Sequence, residues 1–472
     1  MYKIKFLRIF FIIIVNFIII INFINNTYAN QINSQSDLQI PATQSIQSDS
    51  PNSTQLQSPN DAQTSNKQEN ETTTTQLNLY SKSSILIDSA TGQILYEHNA
   101  YEQLYPASTT KLMTAILTLE NCQLTDTVTI EKSSLSGIPP TYTTAALQPG
   151  ETLTVDQLLH VLLIPSANDA ANVLACHIAG SIDDFAIMMN AKAKEIGCKN
   201  THFVNPSGIH NDNHYSTAYD MALIGQYANT FDTIKEIATQ TQYALPNLPN
   251  GTERKFKTTN TLITPSNKYF YEYATGLKTG YTEKAKSCIV AKAKKDNVEL
   301  ICAVLYGDKT EDKKNERELD CHTLFDYGFN NFKPTEICTQ NTPIDKTTIN
   351  DIPQQYQDVN IIYSDTLNLL VNTNNTSNTI TNISWNTDLN YPINKNTIVG
   401  NITYIIDDNT YSVNLLAGED IFPKMQSKQI SYIFYILVGI LIILLLITIF
   451  TNHYHKKKKS SKDEKYFRHS FY

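Results

Sequence analysis

The stretch from Ile430 to Phe450 is apolar and carries no charged side chain. A helix needs about 20 such residues to cross a bilayer. A backbone in lipid must also satisfy its own hydrogen bonds, so the run predicts a transmembrane helix over 430–450. Lys456-Lys457-Lys458-Lys459 follows closely. Positive charge beside a span stays on the cytoplasmic side, which makes 451–472 a cytoplasmic tail and turns the bulk of the chain outward. The other end agrees. Lys3, Lys5 and Arg8 precede the apolar run Ile9 to Ile24, and Thr27-Tyr28-Ala29 offers small residues at the −3 and −1 positions of a cleavage site. Residues 1–29 therefore read as a secretory signal peptide, with an uncleaved anchor helix as the alternative.

Between these ends, 472 residues leave room for two folded domains and tails. A net charge of −8 argues against nucleic acid as a partner. Residues 30–78 are mostly Gln, Ser, Asn and Thr, with too little apolar surface to offset the entropy of ordering, and read as a disordered linker. Order is expected from near Ser83. Ile85 to Ile87, the turn Ala90-Thr91-Gly92 and Ile94 to Tyr96 form a hairpin. Leu112, Ala115, Ile116 and Leu119 share one helical face. Thr154 and Gln157 make a capping box for a helix that Pro165 ends. Further helices run from Asp169 to the stop at Gly180, and from Ser181 to Gly197. Cys288–Ala293 and Val298–Leu305 make a second hairpin, and a helix over Asn315 to Tyr327 closes a domain at 79–333. Short β-like runs, among them Val359–Tyr363, Leu367–Val371 and Ile398–Ile406, predict a small all-β domain over 334–422.

Three short motifs carry chemistry. In Ser108-Thr109-Thr110-Lys111 the lysine, three residues on, lies within reach of the serine hydroxyl on a helix. A serine becomes nucleophilic when a base takes its proton, and a desolvated lysine can be that base. Ser166-Ala167-Asn168 sits in the break between two helices, where polar side chains can project into a cleft. Lys278-Thr279-Gly280 lies in a predicted strand whose glycines allow close approach of a substrate backbone, with a cation and a hydroxyl suited to a carboxylate. Each motif alone recurs by chance: a helix cap with a solvated lysine, a turn, or an edge strand would produce it.

Together, in this order and at these separations, the three resemble the penicillin-recognising serine enzymes. The segments around them, Tyr105 to Ala115, Asn205-Pro206-Ser207-Gly208, His214 to Asp220 and Gly276 to Thr282, resemble the low-molecular-weight penicillin-binding proteins, the serine D-Ala-D-Ala carboxypeptidases. The likeness covers about residues 80–330. It implies an α/β (α+β) fold: an antiparallel sheet flanked by helices, with a helical lobe, as in β-lactamases and transpeptidases. It further implies removal of the terminal D-alanine from peptidoglycan stem peptides through an acyl-enzyme, inhibition by β-lactams acting as covalent ligands, and no cofactor. By resemblance, Ser108 is the nucleophile, Lys111 the base and Ser166 the proton relay. Asn168 holds the substrate amide, Lys278 tunes the relay, Thr279 and Arg317 bind the terminal carboxylate, and the backbone N–H groups of Ser108 and Tyr281 form the oxyanion hole.

The third motif departs from the family at Thr275, where an acidic residue is common. No acidic residue stands in Phe203 to Ile209, which disfavours an efficient β-lactamase. A β-lactamase or transpeptidase on this scaffold, and a non-catalytic wall-binding protein, remain the alternatives. His202, His210 and His214 match no helical metal-binding spacing, so no metal is expected. The seven cysteines form no C-x-x-C pair and read as buried thiols.

Overall fold

A strand that is apolar on both faces needs cover on both faces. In β1 (Ser81–Asp88), Ile85 and Ile87 enter one buried cluster and Leu86 another. The computed structural model describes residues 76–245, 253–307, 316–373, 379–406, 409–423 and 427–468. The expected signal peptide and the expected linker as far as residue 75 lie outside the described residues. Leu77, at that linker's end, already packs against the core.

β1 turns at Thr91-Gly92 into β2 (Ile94–His98). A 3₁₀ turn, Ala107–Thr110, leads into α1 (Lys111–Asn121). The short pair β3 (Thr127–Thr129) and β4 (Thr152–Thr154) precedes α2 (Val155–Leu163), which begins at the expected Thr154–Gln157 capping box. α3 (Asn168–Ala179) and α4 (Ile182–Ile196) stop at Gly180 and Gly197 in the left-handed conformation that suits glycine. These helices and α5 (Ala218–Ala228) and α6 (Asp232–Ala238) share one apolar cluster with β1. Then come the pair β5 (Gln242–Leu245) and β6 (Arg254–Lys257), and the long strands β7 (Ala274–Thr282), β8 (Lys286–Lys295) and β9 (Val298–Gly307).

The main sheet is antiparallel, in the order β2-β1-β9-β8-β7. Val290, Ile301 and Ala303 face the helical lobe, while Ile289, Ala291, Cys302 and Val304 face α7 (Glu316–Asn331). Burial on both sides explains why the second hairpin reads as near-continuous apolar runs, interrupted at Lys292 and Glu299, which form an ion pair at 3.4 Å. β7 is an edge strand, and its open side lies toward the Ala107–Thr110 turn.

β10 (Phe332–Cys338) runs through the expected domain boundary at 333/334 and pairs with β12 (Leu367–Asn372). β11 (Ile361–Tyr363), β13 (Thr379–Trp385), β14 (Ile398–Ile406) and β15 (Asn409–Ala417) form a four-stranded sheet around a third core with Tyr356 fully buried. α8 (Ser427–Arg468) includes a segment long and apolar enough to cross a membrane.

The start of β1 is fixed from across the sheet. Asp320 of α7, fully buried, accepts hydrogen bonds from the backbone N–H groups of Tyr80 and Ser81, both at 2.8 Å. Hydrogen bonds to a charged group contribute about 1.5–3 kcal/mol each. Asp320→Ala should therefore destabilise the protein by about 2–3 kcal/mol. In thermal denaturation followed by circular dichroism, the midpoint should drop by roughly 4–10 °C. An unchanged midpoint would show that this carboxylate does not anchor the strand.

Candidate active site

Ser108 lies in the 3₁₀ turn that feeds α1, and Lys111 is the first α-helical residue. The expected helical placement is thus refined: residues three apart eclipse one another in a 3₁₀ turn, which brings the two side chains closer than an α-turn would. Lys111 Nζ stands 2.9 Å from Ser108 Oγ, 2.8 Å from Asn168 Oδ1 and 2.7 Å from the Ser207 carbonyl, and its side chain is fully buried. The last two partners can only accept. A neutral amine has two N–H groups and one lone pair, so giving both N–H groups to Asn168 and Ser207 leaves the lone pair aimed at the Ser108 hydroxyl.

Burial, with the nearby Lys278 ammonium as a lesser cause, holds the Lys111 pKa well below the usual lysine range, against a smaller opposing pull from Asp169. Lys278 is also buried, with Nζ 3.0 Å from the Thr279 carbonyl. Burial, then the Arg317 guanidinium, lowers its pKa to about 7.

The second motif is held in a strained break. Ser166 has φ of +69°, a conformation unfavourable for a side chain with a Cβ, and its buried Oγ finds no partner among the described residues. Asn168 opens α3, and both its backbone N–H (2.9 Å) and its Nδ2 (2.8 Å) donate to the Thr143 carbonyl. That contact orients the amide so that Oδ1 meets Lys111. Nδ2 has two N–H groups, so a second donor is left for a substrate carbonyl. Asp169 pins the loop that supplies Thr143, accepting from Ala145 N–H at 2.8 Å and Leu147 N–H at 3.1 Å.

The third motif closes the cleft. A Cβ on Gly280 would stand 2.8 Å from Ser108 N and 3.0 Å from Thr109 N, so only glycine lets β7 come this close to the turn. The Thr279 hydroxyl is hydrogen-bonded to that of Thr259. Tyr281, the next residue on the strand, is 60% exposed. Arg317 does not lie on a solvated helix face. Its Nη1 reaches the Gly280 carbonyl at 2.9 Å and the Cys288 carbonyl at 3.4 Å, and its Nε pairs with buried Glu318 at 3.0 Å. Of the eight residues singled out in the sequence, Ser108, Lys111 and Asn168 are joined by hydrogen bonds, Ser166 stands two residues before Asn168, Lys278, Thr279 and Tyr281 lie on β7, whose Gly280 abuts the Ser108 turn, and Arg317 braces the Gly280 carbonyl.

Sequence reasoning gave no role to the Asn205-Pro206-Ser207-Gly208 turn, which proves central. Asn205 Oδ1 gathers the N–H groups of Ser207 (3.2 Å) and Gly208 (2.8 Å), and Ser207 presents its carbonyl to Lys111. Gly208, at φ +78°, packs so tightly that a Cβ would stand 1.8 Å from the Ala107 carbonyl oxygen. The turn composition was visible; its distant target was not. His214 supports the same floor. Its Nδ1 accepts from Val204 N–H at 3.2 Å, its Nε2 stands 2.9 Å from Thr110 Oγ1, and burial holds its pKa down at about 3. His202 meets the Asn213 carbonyl and His210 meets Asp212.

Residues 70–309 match the family model described as D-alanyl-D-alanine carboxypeptidase, and residues 332–422 match that of the C-terminal domain of penicillin-binding protein 5. The chain is 32% identical to D-alanyl-D-alanine carboxypeptidase DacF of Bacillus subtilis, over 73% of this chain and 86% of that protein. It is 34% identical to D-alanyl-D-alanine carboxypeptidase DacC of Escherichia coli, over 54% of this chain and 62% of that one. The crystal structure of penicillin binding protein 5 from Haemophilus influenzae superposes with a TM-score of 0.60 at 26% identity, covering 74% of this chain and all of that one.

With Lys111 as base and Lys278 as a required cation, the two lysines would set opposite pH limbs. Lys111 accepts a proton only when neutral, so the reaction at Ser108 should slow as pH falls through its lowered pKa. Lys278 contributes a positive charge only below about 7 in the free protein, so the reaction should also slow as pH rises past that value. The second-order rate of Ser108 acylation by a penicillin, which reports free-enzyme groups, is expected to trace a bell with its alkaline limb near pH 7. Lys278→Arg keeps the charge and should carry the plateau above about pH 9, because arginine stays protonated there. An alkaline limb that does not move in that variant would assign it to another group.

Proposed function

This chain belongs to the serine D-alanyl-D-alanine carboxypeptidase family, the low-molecular-weight penicillin-binding proteins, and we propose how its own residues divide the reaction. The enzyme removes the terminal D-alanine from peptidoglycan stem peptides and binds penicillins. Ser108 attacks the carbonyl of the penultimate D-alanine while its proton passes to Lys111. The oxygen that becomes negative sits between the N–H groups of Ser108 and Tyr281. Ser166, whose buried hydroxyl has no partner among the described residues, relays the proton to the departing D-alanine nitrogen. Water then cleaves the ester and Ser108 recovers its proton. Asn168 orients the substrate amide through the second N–H of Nδ2. Lys278 tunes the relay electrostatically, and Thr279 and Arg317 attract the terminal carboxylate.

One observation carries this reading: Lys111 is fully buried, held between two obligate acceptors, and 2.9 Å from Ser108 Oγ. A solvated helix-cap lysine would have none of these properties. A β-lactam is expected to form a covalent ester with the same serine.

The apolar segment of α8 is consistent with membrane anchoring. We infer that it is a single span with the catalytic domain on the extracytoplasmic face. The support is the lysine run after Phe450 and the signal-like amino terminus.

Two sets of variants test the assignments in the full chain held in detergent. Ser108→Ala should abolish both D-alanine release and the penicillin adduct seen by mass spectrometry. Lys111→Ala should lower turnover by about 10²–10⁴-fold, the usual contribution of general-base catalysis, with circular dichroism unchanged. A labelled Ser108→Ala protein, or a loss under tenfold in Lys111→Ala, would reassign the nucleophile or the base.

Arg317 separates carboxylate binding from bracing. If its charge helps to hold the terminal carboxylate, Arg317→Ala should lower kcat/KM for a D-Ala-D-Ala peptide by about 10–200-fold, from roughly 1.5–3 kcal/mol for one charged contact. The already poor C-terminal amide of the same peptide should barely change. Equal losses for acid and amide would leave Arg317 only its brace on the Gly280 carbonyl.

A further inference from the structure

Asn168 meets Lys111 directly and, in the reading above, also holds the substrate amide, so whatever fixes Asn168 governs both contacts. Its anchor is the Thr143 carbonyl, which accepts from its backbone N–H at 2.9 Å and from its Nδ2 at 2.8 Å. Thr143 lies in a stretch without regular structure between the 3₁₀ turn Ser133–Leu135 and β4. Such a stretch has no ladder of its own, so its backbone groups must be held by other elements.

Two charged side chains of opposite sign hold it. The Asp169 carboxylate takes the N–H groups of Ala145 and Leu147. Arg254 takes the carbonyls: its Nη1 donates to those of Ala145 and Ala146, both at 3.0 Å, and its Nη2 pairs with Glu151. Glu151 turns its other oxygen back to the same loop and accepts from Gln148 N–H at 3.1 Å. The Arg254 and Glu151 side chains are only 11% and 7% exposed, unlike the solvated pairs that contribute little. A guanidinium presents its N–H groups in a rigid fork and can hold two carbonyls and a carboxylate together, which the single ammonium of a lysine cannot copy. The loop needs such a hold, because Ala146 sits at φ +53°, a conformation unfavourable for a residue with a Cβ.

Arg254 is itself well fixed. It opens β6, which pairs with β5. Just past the end of β6, Thr259 donates its N–H to the Ile164 carbonyl at 3.3 Å, and its hydroxyl is bonded to that of Thr279. One short segment therefore touches the loop behind Asn168, the chain just before Ser166, and Thr279 of the third motif.

We propose that Arg254 is a positioning residue for the reaction at Ser108: by clamping Ala145 and Ala146 it holds the Thr143 carbonyl in place, and through it the Asn168 amide. The proposal rests on the carboxypeptidase reading above.

The test uses the full-length protein in detergent and two β-lactams. Benzylpenicillin carries an acylamino side chain; 6-aminopenicillanic acid carries a bare amine there. Intact-mass spectrometry follows both the rate and the end-point of Ser108 labelling. Displacing a positioning group by about 1 Å can cost about 100-fold, so Arg254→Ala should slow labelling by benzylpenicillin about 10–100-fold while every chain is still labelled in the end. The reagent without the amide should lose less, lowering the ratio of the two rates by about threefold or more, the effect of one hydrogen bond. Arg254→Lys keeps the charge opposite Glu151 but not the fork, and its rate should fall between the other two proteins. A wild-type rate in Arg254→Ala, or an unchanged ratio between the reagents, would overturn the proposal. So would a lowered end-point in which the labelled fraction reacts at the wild-type rate, since that is loss of fold alone. If the alanine variant does not fold, Arg254→Lys carries the same comparison, and a wild-type rate there would overturn the clamp. Wild-type protein that takes no label at Ser108 would instead overturn the reading on which the proposal stands.

Discussion

The contact on which the rest of this site depends is the three-way grip on the Lys111 amine. Removing a lysine from water is costly unless it loses its charge or gains partners. Here the amine has partners, but two are the neutral acceptors Asn168 Oδ1 and the Ser207 carbonyl, and the third is the nucleophile itself. The Lys278 ammonium opposes charge on it further. Burial thus favours the neutral amine, as the proposed base role requires, and the two acceptors decide which way its lone pair points. Each acceptor comes from a different element: the start of α3 and the Asn205–Gly208 turn. The helical lobe exists, in chemical terms, to deliver them to one point.

That delivery needs backbone approaches that most residues would forbid. Gly208 lies against the Ala107 carbonyl, and Gly280 lies against the amides of Ser108 and Thr109. Ala107 at φ +49° and Ser166 at φ +69° are non-glycine residues in the left-handed region, each a local cost of about 1–2 kcal/mol. The surrounding core is large enough to sustain them: Leu112, Met113, Ile116, Leu158 and Leu162 are all fully buried around the turn and its supporting helices. Strain collected at a cleft and stability placed beneath it is the division expected of a preorganised site. An edge strand that bears glycine and pairs with β8 along one edge only completes it, since a peptide can add to the other edge by main-chain contact.

Much of this was legible from the residues. The capping box at Thr154–Gln157, the glycine stops at 180 and 197 and the hairpin around Lys295-Asp296-Asn297 appear as read, because each rests on local rules. The helix expected to end at Tyr327 continues to Asn331. α5 was not read because Ala218, Met221, Ala222, Ile224 and Gly225 are buried around most of its circumference, which erases the polar stripe. β3 to β6 are three or four residues each, too short for any period to declare itself. The three motifs were visible as strings, but their convergence was not. Nothing local indicates that Ser207, 96 positions from Lys111, offers it a carbonyl. Arg317 was tied to the terminal carboxylate by resemblance alone. Its place behind β7 is fixed by the packing of α7 on the sheet, a long-range outcome.

Ser166 shows why such convergence matters for chemistry. A buried hydroxyl without a partner is destabilising by about 1–3 kcal/mol; that of Ser166 has none among the described residues and also sits on a strained backbone. Two costs at one residue call for a compensating use. Lys111, Lys278 and Asn168 are buried with it, so its surroundings are polar and shielded from bulk solvent. In such a medium a hydroxyl that is not already hydrogen-bonded can donate to a leaving nitrogen without first breaking a protein contact. A hydroxyl already bonded to the protein would lack that readiness. The same logic makes the cleft a site for transferring acyl groups rather than only for holding peptides. Binding alone would be served by β7 and the carboxylate contacts, without a neutralised lysine, a strained serine and two glycines pressed against the nucleophile's turn.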